Sequence, residues 1–165
     1  MTFSPRTWLV GETVTAALLN AEIRDQLNSM FSAWTPYTPA WTAATTNPVL
    51  GNGSLTGQYI KIGRTCTATL ILTMGSTTTY GSGNYSFSLP FQAAAATVSY
   101  LGTARLGAAR IWLGHVVVSS GGTVVTVTFD TSPTDTRGTN WTGAIPEALA
   151  ATHTFRFSLT YQTAT

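Results

Sequence analysis

Asp130 and Glu147 are the residues of this sequence best suited to acid–base chemistry, because they stand near the two ends of one long polar segment, DTSPTDTRGTNWTGAIPEALAAT. Two carboxylates flanking a sugar can hydrolyse a glycoside when their separation matches one of two geometries. Asp130 with Asp135 also offers oxygen ligands for Ca²⁺, although the spacing is not that of an EF-hand loop. His115 and His153, the two histidines, lie in strand-like runs, where a half-buried, hydrogen-bonded ring is the expectation. The single cysteine, Cys66, would share a strand face with Ala68, Leu70, Leu72 and Met74 in TCTATLILTM. A reactive thiol needs a cationic partner, so an inert buried one is expected. No zinc-ligand spacing, nucleophile elbow or Walker loop occurs. GSLTG and GSGNY lie between strands, whereas phosphate loops run from strand to helix. These residues predict no enzyme, no metal and no cofactor; a glycan-cleaving enzyme is kept only as a remote alternative.

The same segment reads differently as a recognition surface. Asp130, Asp135, Arg137, Trp141 and Glu147 combine a flat aromatic ring with charged groups. Sugars are held by that mixture, the ring on the apolar sugar face and the charges on hydroxyls. Loops this long are commonly functional or carry a small element of their own. Trp141 has a second reading, as a buried plug over one end of the fold. Tyr80 is a further candidate for an exposed aromatic.

What holds these residues in place must be a β domain with few charges. The chain has 165 residues, 44% of them apolar and only 8% charged, about a third of the usual ~25% charged share. Such a chain buries a real core, and its low charge predicts a large surface covered by other subunits. Five Trp, six Tyr and seven Phe argue against disorder. The net charge of +2 comes from scattered basic residues, with no stripe for nucleic acid or anionic membrane. MTFSPRTW has no apolar signal region, and no run approaches the ~18 apolar residues of a membrane span. Folding in a cytoplasm is the expectation, and the Asn-x-Ser/Thr sequences at Asn52, Asn84 and Asn140 then read as chance.

One amphipathic helix opens the chain. Thr15 is a fitting N-cap, and Ala16, Leu19, Ile23, Leu27 and Met30 recur at steps of three and four. A helix of ~15 residues is marginal alone in water, so its stripe must pack on something. Pro36, Pro39 and Pro48 end the helical segment. The period then changes to two, with Tyr59, Lys61 and Gly63 alternating with Ile60 and Ile62, and again in TCTATLILTM, NYSFSLP, GTVVTVTFD and HTFRFSLTY. Two further runs, 97–106 and 110–118, read as strands buried on both faces. The pattern predicts residues 1–35 as a docking or trimerising segment and residues 36–165 as an antiparallel β-sandwich or jelly-roll head of roughly eight strands.

The motif W-x-x-G-E-x-V-T-A-A-x-L-N-x-x-I-R-D, from Trp8 through Leu19 and Ile23 to Asp25, resembles the N-terminus of small virion proteins of tailed phages of actinobacteria and related hosts. These are minor tail, tail-fibre or head-decoration proteins. WTPYTPAW, GQYIKIG and GSGNYSFSLP resemble their β knobs, and the likeness runs from about Trp8 to Pro90. The resemblance implies a non-enzymatic virion component and a homotrimer. Its helix, with Trp8, Leu19, Ile23, Leu27 and Met30, would dock on other virion proteins, of the tail or the major capsid protein, or form a three-helix stem. A tail-fibre or receptor-binding knob that touches a host-cell glycan is the first expectation, and a capsid decoration protein is the alternative.

Overall fold

Alternation of apolar and polar residues dictates most of the structure. The computed structural model describes residues 7–165. In β4 (Thr65–Thr73) Cys66, Ala68, Leu70 and Leu72 all point inward and are buried, with Met74 just beyond, while threonines take the outer face. The same two-residue period places Phe155, Phe157, Leu159 and Tyr161 of β10 (Thr154–Gln162) and Val125, Val127 and Phe129 of β8 (Val124–Ser132) in the core.

The chain order continues with β1 (Thr35–Tyr37), β2 (Trp41–Ala43), β3 (Ser54–Ile62), β5 (Tyr85–Ser88), β6 (Tyr100–Gly107), β7 (Ile111–Val118) and β9 (Asp135–Asn140). All pairings between these strands are antiparallel. The mainly antiparallel β architecture with one N-terminal helix is as expected, but the strands do not show the two facing sheets of a sandwich or jelly roll. They form one ten-stranded sheet in the order β1-β3-β4-β10-β6-β7-β8-β5-β2, with β9 beside β8. Strand twist curls this sheet into a half-barrel that wraps its own apolar face. The two outermost strands, β1 and β2, are consecutive in the chain and are joined by only Thr38, Pro39 and Ala40. Both edges are short, and Pro36 on β1 is tolerated because an edge strand has one unpaired side. Gly57 of β3 makes room for the link, since a Cβ there would collide with the Tyr37 ring and Pro39.

β10, the last strand, lies between β4 and β6, so the end of the chain is tied into the middle of the sheet. The strands that sequence reasoning missed are the two short edges and β9. β1 and β2, of three residues each, are too short to show a period, and β9, DTRGTN, has no apolar residue to alternate.

The N-terminal helix is helical over 16–30 but not uniformly α. α1 (Ala16–Leu19) leads into a π turn (Asn20–Arg24) and then α2 (Asp25–Met30). The Thr15 hydroxyl caps α1, accepting from the Leu18 N–H at 3.2 Å. The π turn adds a residue to the helical repeat and rotates Leu27 and Met30 relative to Leu19 and Ile23. The even stripe expected from an α-helix is therefore broken at its centre.

Candidate functional site

The helical arm carries most of the exposed large apolar side chains among the described residues. Leu19, Ile23, Leu27 and Met30 are 43–51% exposed, Trp8 and Trp34 about as much, and Phe31 84%. A crevice separates α2 from β3, and its lining is mainly polar, with Asp25, Asn28, Ser32, Lys61 and Tyr59 beside Phe91. The Lys61 ammonium sits 4.6 Å from the centre of the Phe91 ring. Leu19, Ile23, Leu27 and Met30 thus keep about half of their surface open to solvent.

A second apolar area lies on the outer face of the sheet. Leu101 on β6 and Ile111 and Leu113 on β7 alternate with core residues yet are 64–74% exposed. The expectation that these strands are buried on both faces fails for a single chain: their inner residues meet the core, and their outer ones meet nothing in it. His115 shares this outer face and is exposed, contrary to the half-buried expectation. His153 is half-buried as expected, its Nδ1 accepting from the Ala150 N–H at 3.2 Å.

The long segment after β8 resolves into two parts. β8 and β9 form a hairpin turning at Pro133 and Thr134, and residues 141–153 return to β10. At the hairpin tip Arg137 clasps Asp135, with Nη2 to Oδ2 at 2.6 Å and Nε to Oδ1 at 2.9 Å. Those bonds hold the Asp135 carboxyl below its ordinary pKa. Asp130 lies on the outer side of β8, opposite Gly138. Glu147 is engaged elsewhere, accepting from the Trp112 indole N–H at 2.7 Å and the Ala109 N–H at 3.0 Å. The supposed catalytic pair is thus divided, because Asp130 faces outward while Glu147 holds a tryptophan that points inward. Among the described residues no group of three or more His, Cys, Asp or Glu side chains converges on a metal position.

Trp141 is not a surface platform. It is fully buried, packed 4.3 Å from Phe155 and 5.0 Å from Tyr85 between ring centres. Its backbone explains why. The Trp141 N–H donates to the Val127 carbonyl, and its carbonyl accepts from the Tyr85 N–H, so residue 141 bridges β8 and β5 where β9 ends. Once the main chain sits inside the sheet, the indole has only the core to occupy. Of the five residues proposed for recognition, Asp135 and Arg137 meet each other, Asp130 stands on the same hairpin, and Trp141 and Glu147 have structural roles.

Comparison with known proteins adds one relative. Over 120 residues the chain is 33% identical to the Mu-like prophage FluMu defective tail fiber protein of Haemophilus influenzae. The match covers 70% of this chain but only 19% of that protein. The similar protein thus comes from a Haemophilus prophage, whereas the N-terminal motif resembled proteins of actinobacterial phages. No protein-family model and no solved structure matches the chain.

Proposed function

We propose that this chain is a non-enzymatic structural component of a phage tail fibre, which assembles through its N-terminal arm and displays the curled β-sheet head. The observation that carries the reading is the half-exposed apolar set Leu19, Ile23, Leu27 and Met30 of the arm. A helical segment this short does not hold its shape in water without a partner for its apolar side. Similarity to a tail fibre protein supports a tail location over decoration of the capsid. The occupant of the arm is taken to be two further copies of the chain, giving a homotrimer in the virion. The head is left to meet the host cell, with a surface glycan as the partner and the β8–β9 hairpin as the contact.

Native mass spectrometry of the full chain tests the assembly: a mass of three chains is expected, and a clean monomer at micromolar concentration would overturn it. Copy number per virion tests the location. A few copies place the protein in the tail, and hundreds would make it a decoration protein of the head.

A further inference from the structure

We infer that the outer face of the β10–β6 pair is a binding site for a phosphate-type oxyanion, free or carried on a polyhydroxylated chain. The inference rests on this face alone and not on the tail reading.

Arg156 of β10 stands directly opposite Arg105 of β6 in the antiparallel register. Both occupy outward positions, because Phe155, Phe157, Ala104 and Leu106 on either side of them are buried. Directly opposed side chains on a sheet have Cβ atoms ~4.5–5.5 Å apart, and like charges so placed repel. The next residues along the same row are Ile71 on β4 and Leu113 on β7. The chain has six acidic residues. Three of them, Glu12, Glu22 and Asp25, belong to the N-terminal arm, Asp135 is paired with Arg137, Glu147 is bound to Trp112, and Asp130 stands on the outer face of β8, beyond Leu113 in the same row. Among the described residues neither Arg105 nor Arg156 has a carboxylate bonded to it.

Guanidinium groups carried on two directly opposed residues can reach the oxygens of one phosphate, each presenting a planar fork of N–H donors. An oxyanion between them turns a repulsive pair into an attractive triad. The surroundings supply further donors. One row along, Ser158 pairs with Thr103, which in turn faces His115. A depression of about 520 Å³ opens on the Arg156 side, lined in part by Thr56, Gln58 and Thr69. Another of about 400 Å³ opens on the β7 side beside Thr103, His115, Thr128 and the Asp130 carboxylate. Hydroxyl and amide groups on both sides of a paired cation suit a chain of sugars or polyols that carries phosphate.

The test uses the full chain and three probes: inorganic phosphate, poly(glycerol phosphate) and neutral dextran, at constant ionic strength. Thermal unfolding and titration calorimetry are read for the wild type, Arg105→Gln, Arg156→Gln and Arg105→Lys. Phosphate or the phosphate polymer should raise the wild-type melting temperature, and dextran should not. Each glutamine variant should weaken binding at least tenfold while melting at or above the wild type without anion, because it removes the repulsion. Arg105→Lys keeps the charge, loses the fork and should weaken binding nearly as much. A response to free phosphate alone assigns the site to the ion, and a response to the polymer assigns it to a carried phosphate. Equal responses in wild type and variants, dependence on only one arginine, or no response to either anionic probe would overturn the paired site.

Discussion

The indole N–H of Trp112 donates to Glu147 Oε2 at 2.7 Å, and the other oxygen of the same carboxylate accepts from the Ala109 N–H at 3.0 Å. One side chain thereby ties the segment leading into β10 to the turn between β6 and β7. Partial desolvation disfavours its charge, but the bonds from Trp112 and Ala109 and the proximity of His153 outweigh that and hold the Glu147 carboxyl below its ordinary value of 4.5. A lowered folded pKa means that the contribution is complete above the unfolded value and is lost as pH falls through the folded one. Glu147→Gln should therefore flatten the acid limb of the stability profile below pH 4.5. Glu147→Ala should cost ~1–3 kcal/mol at neutral pH by leaving the Trp112 N–H unpaired. Urea unfolding across pH measures both, and an unchanged acid limb in the glutamine variant would refute the clasp.

Trp141→Ala should destabilise the head by ~3–5 kcal/mol, the cost of a large aromatic cavity. Trp141→Phe should cost far less, within ~1–2 kcal/mol, because the ring contacts survive. It also removes an indole N–H that is buried without a hydrogen-bond partner. Neither variant should alter binding of the intact head to cells at temperatures where it is folded. Calorimetric melting beside a cell-binding assay separates the two effects, and lost binding with an unchanged melting temperature would restore Trp141 as a contact residue.

Aspartate at Leu19, Ile23 and Leu27 together should abolish association and leave the melting of the β head within ~0.5 kcal/mol of wild type, as expected for exposed positions. Sedimentation velocity reads the first outcome and circular dichroism the second. Loss of the folded head would mean that the arm belongs to the core.

Cys66 should resist thiol reagents in the native state and react once the chain is unfolded. The residue is fully buried, and desolvation raises its thiol pKa despite the nearby Tyr161 hydroxyl and the charge of Lys61. Ellman's reagent with and without denaturant checks this, and rapid native labelling would contradict the burial.

The direction in which each strand residue points was legible from local sequence, because a side chain on a strand has only two faces and the core admits apolar groups. Cys66 to Met74, Val125 to Phe129 and Phe155 to Tyr161 follow from that rule, and the Thr15 cap follows from one hydroxyl before an apolar repeat. Local pattern could not place strands against one another. That Arg156 meets Arg105, some fifty residues away in the chain, depends on β10 inserting between β4 and β6 in one register. No period in either strand encodes that neighbour. Trp141 lies in a stretch without periodicity, so its type allowed both a surface anchor and a core plug. The place of its main chain between β8 and β5 settled it as core. The single curled sheet arose in the same way, since alternating strands are equally compatible with two facing sheets. Inward and outward are set residue by residue through solvation, whereas neighbours are set by the path of the whole chain.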